Sequence, residues 1–326
     1  MRQRLWLWVG FVVWFTLASA PARGADEAAG DAAPGKPVAA VEHFIIISAD
    51  GMRPDVLLRA RTPNVRRLIE SGTFTMWART VPQSITLPSH TSMLTGVTPE
   101  RHRVLWNSDI PEPVYPQVPT IFEVAKAAGL TTAMVTGKSK FDSLARPGSI
   151  DWEKVKAATD EEVGSRAADV LREHKPNLLV VHFPGADAAG HGKGWGTPEQ
   201  IAAVETIDRS IGVLLGALDE AKLTDSTVII LSADHGGAGR THGANDFRSR
   251  HIPWICAGPG VLEGQDLTNF RDLVINTEDT YATACWLMGL DPGSDIDGKA
   301  IKQVFKQKDE LLQPVAPKQP TAAVKK

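Results

Sequence analysis

Cysteine is nearly missing from this chain, with two in 326 residues. That excludes a disulfide-stapled scaffold and a cysteine-rich zinc module, so any metal must be held by histidines and carboxylates. A charge of one sign is missing too. Lys and Arg total 35 against 38 Asp and Glu, a formal net charge of -3, which excludes bulk electrostatic attraction to nucleic acid and predicts no sequence-specific nucleic-acid partner. Beyond Leu17 no segment is apolar for long enough to cross a bilayer. What is present is 43% apolar residues, enough for the core of one large domain or two modest ones, and nine histidines.

Arg2 and Arg4 precede an apolar run, Leu5 to Leu17, and then the small residues Ala18-Ser19-Ala20-Pro21-Ala22-Arg23-Gly24. This is the order of a secretory signal. Cleavage after Ala20 would cut a bond to proline, so the expected signal is 1–24, with Ala25 as the new first residue. The alternative is a retained anchor, although the run falls short of the ~20 residues that span a bilayer. Residues 25–40, rich in Ala, Gly, Pro and acids, read as a linker, and 306–326, with three prolines and a basic end, as a flexible tail. One folded domain is expected over 41–305 without internal repeats. The protein is expected to be secreted or periplasmic, with no membrane span once the signal is removed. Its oligomeric state is open.

Short apolar runs at His43 to Ala49, Thr131 to Thr136, Asn177 to Phe183, Ser226 to Ser232 and Ile252 to Ala257 predict buried strands. Between them, apolar spacings of three and four predict helices over Asn64 to Glu70, Thr120 to Ala128, Asp160 to Glu173, Pro198 to Ala221 and Glu278 to Met288. The alternation predicts an α/β fold, a doubly wound and mostly parallel sheet with helices on both faces. Ligands in such folds sit beyond the carboxyl ends of the strands.

Three of these strands run into polar residues. Ile45-Ile46-Ile47-Ser48-Ala49 leads to Asp50-Gly51, Leu178 to Phe183 leads to Asp187 with His191 four residues on, and Val228 to Ala233 leads to Asp234-His235-Gly236-Gly237. Any one Asp could simply cap a helix, and Asp187-x-x-x-His191 could lie in a glycine-rich turn. Together they place three carboxylates and two imidazoles on one edge of the sheet, a donor set suited to a divalent metal. His242 adds a nitrogen nearby. In Ser84-Ile85-Thr86-Leu87-Pro88-Ser89-His90 a helix is expected to begin at Pro88, with Thr86 just ahead of its first turn. Thr86 is then either an ordinary N-cap or a hydroxyl aimed where free N–H groups favour an anion.

These segments resemble the alkaline phosphatase superfamily, specifically its nucleotide pyrophosphatase/phosphodiesterase branch and the related phosphonoacetate hydrolases. Thr86-Leu87-Pro88-Ser89-His90 is similar to the family's Thr-Phe-Pro-Asn-His nucleophile segment, with Ser89 in place of Asn, and Asn107 stands where the family has a phosphoryl-binding asparagine. The resemblance implies two divalent ions, most simply zinc, one held by Asp50, Thr86, Asp234 and His235 and the other by Asp187, His191 and His242. Manganese or iron would suit the same donors. It implies hydrolysis of a small phosphorylated substrate through a phosphothreonine on Thr86, with Asn107 and a backbone N–H near Thr86 on the developing charge.

Two departures limit what carries over. Family members have a long insertion, much of a substrate cap, between the Asp-His pair and the last histidine, whereas here Gly236 to Thr241 is all that separates His235 from His242. Little or no cap domain is therefore expected. The Cys/Ser-x-Pro-x-Arg motif of sulfatases is also missing. Lys138 and Lys140 are similar to a Lys-x-Lys of phosphonoacetate hydrolases and threonine-dependent phosphomonoesterases, which favours a monoester or phosphonate substrate over a diester if both lysines face the site. A solvated surface pair is the plain alternative. A non-catalytic metal- or phosphate-binding protein is the remaining alternative, although no ligand position is lost. Cys256 and Cys285 either pair or remain two buried thiols.

Overall fold

The computed structural model describes residues 36–154 and 159–306. The expected signal, most of the linker and the tail past 306 lie outside the described residues. In chain order the elements are β1 (His43–Ala49), α1 (Pro54–Arg59), α2 (Pro63–Glu70), β2 (Gly72–Arg79), α3 (Thr86–Thr95), α4 (Pro99–His102) and α5 (Ile121–Ala127). There follow β3 (Thr132–Thr136), β4 (Trp152–Lys154), α6 (Asp160–His174), β5 (Leu178–Phe183), α7 (Gly185–Lys193) and α8 (Pro198–Ala221). The last are β6 (Thr227–Ser232), α9 (Phe247–Arg250), β7 (His251–Ala257), β8 (Gln265–Asp266) and α10 (Asp279–Met288).

All strands join one sheet in the order β4-β3-β5-β1-β6-β7-β2-β8. The strands from β4 to β6 run parallel, while β7 is antiparallel to both of its neighbours. The expected α/β sheet, mostly parallel with helices on both faces, is therefore present. Every residue of β1, β3, β5 and β6 is buried, as strands covered on both faces require. One helical layer groups α1, α2, α6 and α7 around α8, and another brings α3 against α4 and α10. Ser48 of β1 lies level with His182 of β5 and Ser232 of β6. The three strands thus end together, and this sets up the site.

Three strands lack a clear signature. In β2, Thr alternates with apolar residues and Trp77 is 63% exposed, so no continuous apolar run marks it, while β4 and β8 are too short to show a period. The helix expected from Pro88 begins at Thr86, so Thr86 is its first residue and Ile85 the flanking one. Pro88 still falls in the first turn, where its missing N–H leaves no bond unmade. Cys256 on β7 and Cys285 on α10 are both buried free thiols. No helix among the described residues is long and apolar enough to cross a membrane.

Candidate active site

The expected residues converge. One oxygen or nitrogen from each of Asp50, Asp234 and His235 lies within 4.8 Å of the others, and so do atoms of Asp187, His191 and His242. The first group stands at the ends of β1 and β6 and is entirely buried. Gly51 makes the junction possible: its N–H donates to Asp234 Oδ1 at 3.0 Å, its φ is +70°, and a Cβ there would come within 2.9 Å of the Asp187 Cα. Only glycine meets both demands.

The second group is assembled differently. Asp187-x-x-x-His191, which as a sequence could pass for a glycine-rich turn, is part of α7, where a spacing of four puts both side chains on one face. Glycine-rich Gly185–Lys193 has low helix propensity, and tertiary packing overrides it. Gly190 lies flat on the Trp195 ring, where a Cβ would come within 2.7 Å of Cε2. Trp195 also donates from Nε1 to Gly51 O at 3.0 Å and sets its edge against His191. His242 arrives by a tight turn in which Ala238 and Thr241 exchange backbone hydrogen bonds of 2.9 and 3.2 Å. Its ring stacks on His235, with centroids 3.7 Å apart.

The three imidazoles share one arrangement. Nδ1 of His235 faces Gly236 O at 2.9 Å, that of His191 faces Arg240 O at 3.0 Å, and that of His242 faces Ser84 O at 3.0 Å. A carbonyl only accepts, so each Nδ1 carries the proton and each Nε2 is left with a lone pair. The Nε2 atoms of His191 and His242 then point at each other across 3.1 Å, which two lone pairs do without a shared proton only around a common cation. Each carboxylate matches them. Asp50 Oδ1, Asp187 Oδ1 and Asp234 Oδ2 are buried without any hydrogen-bond partner, a costly state that a divalent metal would relieve. The residues present therefore fit two such ions.

Charge in the site is unevenly shared. Burial pushes the Asp50 carboxyl up, but the Lys138 charge and the hydrogen bond from His182 outweigh it and hold it well below the usual carboxylate range. Asp234 and Asp187 are both raised, first by burial and then by the charge of Asp50, against the pull of Lys138. Burial takes His235 down to about 3 and also lowers His242, so both rings are neutral. Burial opposes the Lys138 charge as well, but Asp50, Asp187 and Asp234 overcome it and raise its pKa.

Thr86, 1% exposed at the head of α3, sets its Oγ1 3.4 Å from His235 Nε2. Asn107 Oδ1 accepts from the Leu87 N–H at 2.9 Å, so that backbone donor near Thr86 is engaged with Asn107 itself. Lys138 Nζ lies 2.6 Å from Asp50 Oδ2 and 2.6 Å from Asp187 Oδ2, and Lys140 Nζ donates to Asn107 O at 2.5 Å. Neither is a solvated surface charge; both ammonium groups already have partners.

Two further histidines support the candidate ligands. His182 Nε2 lies 2.9 Å from Asp50 Oδ2. His90 bonds Ser48 Oγ through Nε2 at 2.7 Å and Thr86 O through Nδ1 at 2.8 Å. For His182 the available signal is an imidazole inside an otherwise apolar parallel strand; Trp195 has none.

With this geometry in view, residues 44–246, more than half of the chain, match the type I phosphodiesterase / nucleotide pyrophosphatase family. The chain belongs to that family. It thereby falls in the nucleotide pyrophosphatase/phosphodiesterase branch of the alkaline phosphatase superfamily. An uncharacterized pyrophosphatase/phosphodiesterase of Schizosaccharomyces pombe is 28% identical over 216 residues, 60% of this chain and 44% of that protein. The Xenopus laevis bis(5'-adenosyl)-triphosphatase enpp4 is 24% identical over 266 residues, 72% and 57% of the two chains. Mouse ectonucleotide pyrophosphatase/phosphodiesterase family member 3 is 24% identical over 218 residues, 59% of this chain but 24% of its own. The match thus covers a quarter to just over half of the relatives' lengths. Among solved structures, an inactive form of murine ectonucleotide pyrophosphatase/phosphodiesterase 5 in complex with AMP aligns with TM-score 0.70 at 15% identity, covering 81% of this chain and 100% of that one. A 2-O GAG sulfatase aligns with TM-score 0.68 at 16% identity, over 84% and 76%. Identities this low speak to the fold alone.

Proposed function

We propose that residues 41–305 form a secreted or periplasmic two-metal phosphohydrolase that cleaves a phosphodiester or pyrophosphate-type bond of a small phosphorylated substrate through a phosphothreonine on Thr86. The observation that carries this reading is the trio of partnerless buried oxygens, Asp50 Oδ1, Asp187 Oδ1 and Asp234 Oδ2, beside the Thr86 hydroxyl at the head of α3. Asp50, Thr86, Asp234 and His235 would hold one ion, and Asp187, His191 and His242 the other. Zinc suits this mixture of nitrogen and oxygen donors. When bound, such ions favour the deprotonated hydroxyl and water and offset charge on phosphoryl oxygens.

Thr86 Oγ1 attacks phosphorus in line, a new O–P bond forms and the bond to the leaving oxygen breaks, so that Thr86 carries the phosphoryl group with the substrate's other ester substituent still on phosphorus. Water then takes the phosphoryl group from Thr86 and restores the hydroxyl. Asn107 keeps its Oδ1 on the Leu87 N–H, so that its Nδ2 is the group that would steady a phosphoryl oxygen. The diester or pyrophosphate linkage is preferred to a monoester or phosphonate because the ammonium groups of Lys138 and Lys140 are committed to protein partners. The names of the curated relatives point to the same linkage and to a site outside the cytoplasm.

The test is metal analysis of the purified chain together with an acid quench during turnover of a chromogenic phosphodiester, followed by peptide mass mapping. Two ions per chain and a phosphoryl group still bearing the substrate's second ester substituent on the peptide carrying Thr86 are expected. Full turnover after exhaustive chelation would overturn the reading.

A further inference from the structure

Lys138 follows β3 directly and leads into a short 3-10 turn, Ser139–Leu144. Its ammonium is 2.6 Å from an oxygen of Asp50 and 2.6 Å from an oxygen of Asp187. These carboxylates belong to different ligand groups. In both, the lysine takes Oδ2, while Oδ1 is the atom left without a partner. The imidazoles gather around Oδ1: His235 Nε2 is 3.4 Å from Asp50 Oδ1, and His191 and His242 Nε2 are 3.4 and 3.7 Å from Asp187 Oδ1. One cation therefore grips both groups while leaving open the oxygens that the histidine lone pairs surround. The Lys138 side chain is 19% exposed, and its carboxylate partners 0% and 7%, so water screens these pairs poorly.

Without metal, three carboxylates gather here and Lys138 is the ammonium that touches two of them, Asp50 and Asp187. His182 also touches Asp50 Oδ2, as a ring N–H donating to the carboxylate. A divalent ion added against the open oxygens changes the balance. It supplies the missing positive charge itself, and it sets that charge beside the ammonium. A group that favours the metal-free state more than the loaded one must weaken metal binding by the same free energy, because the two are linked through one cycle.

We infer that Lys138 is a built-in counter-cation that holds Asp50 and Asp187 in place before metal arrives, and that in doing so it restrains the affinity of the centre for its ions. The inference rests on the two-metal reading above. Lys138 is in this sense a positioning residue, whose role is filled before any substrate binds.

The experiment compares the full chain with Lys138→Met and Lys138→Arg after chelator stripping, measuring the metal-free and zinc-loaded Tm and the zinc Kd by competition with a chromophoric chelator. Lys138→Met is expected to lower the metal-free Tm by about 3 °C or more, to lower the loaded Tm by less, and to tighten zinc binding about tenfold. Lys138→Arg, which keeps the charge, should stay close to wild type in both. A Lys138→Met chain that folds only with zinc present also supports the inference. If it folds in neither state, Lys138→Arg decides: a changed zinc Kd there overturns the inference and an unchanged one upholds it. Equal or weaker zinc binding by folded Lys138→Met overturns the inference and leaves the two-metal reading standing. Zinc uptake by neither variant nor wild type overturns both.

Discussion

Asp50, Asp234 and His235 stand fully buried at the ends of β1 and β6, whereas Asp187, His191 and His242 sit on a glycine-rich helix and a short turn, with the His191 side chain 47% exposed. The donors are of the same kinds, yet their supports differ. The inner group is fixed by a sheet that the whole core holds in register, and its backbone is tied together by hydrogen bonds from Gly51 and His235 to Asp234 Oδ1. The outer group depends on close packing of Gly190 and Gly185 and on one tryptophan. Similar chemistry can thus rest on supports of unequal stiffness, and the softer one is expected to lose its ion first.

The largest effect tests what the inner group serves. Thr86→Ala should reduce turnover at least about a thousandfold while leaving the fold and most of the metal, because in the proposed mechanism the hydroxyl beside His235 accepts the phosphoryl group. Rates within tenfold of wild type would separate the nucleophile from the inner group. Next, Asp234→Asn should cost about a thousandfold in kcat/KM and resist rescue by excess metal. His191→Ala should cost about tenfold to a hundredfold and recover in part as zinc is raised. The same response from both would erase the distinction between the groups.

A smaller effect tests the support of the outer group without touching a ligand. Gly190→Ala drives a Cβ into the Trp195 ring and should lower stability by about 1–3 kcal/mol, read as a drop in Tm on the order of 5 °C, with preferential loss of one ion. The smallest effect is one of pH. Asp160 Oδ1 accepts from Gly185 N at the start of α7, and burial raises its carboxyl from 3.8 to about 6. The folded chain therefore binds this proton more tightly than the unfolded one. The stability it confers is full below about pH 4 and is lost as pH rises through about 6. Asp160→Asn keeps the acceptor and should flatten Tm against pH over that window, whereas an unchanged slope would show that Asp160 is no weak point of the outer support.

Legibility follows the same division. Asp50 and Asp234-His235 are readable from the sequence because several apolar strands break into carboxylates and glycines at one edge of the sheet, although any one Asp alone reads equally well as a helix cap. Helix α7 is not, since three glycines offset the three alanines of Gly-Ala-Asp-Ala-Ala-Gly-His-Gly-Lys and the ring that orders it comes from Trp195. His242 is placed by resemblance, not by pattern. Lys138 and Lys140 are visible as a pair after β3, but their partners depend on how β1, α7 and the Asn107 loop meet in space. The strands at the β2 edge escape notice because half-exposed strands alternate and short ones have no period. His90 and His182 look like any isolated histidine until the residues across from them are known.

The turn that delivers His242 has its two ends, Ala238 and Thr241, hydrogen-bonded to each other. A chain that leaves and returns through such a gate can be lengthened there with little entropic penalty and without shifting what precedes or follows it. A graft at residues 239 and 240 has to keep their two carbonyls in place, because Gly239 O accepts from Trp195 N and Arg240 O from His191 Nδ1. A foreign segment placed there would overhang the imidazoles as a roof, and this chain becomes a bare platform on which lids of different shape can be compared for the leaving groups they admit.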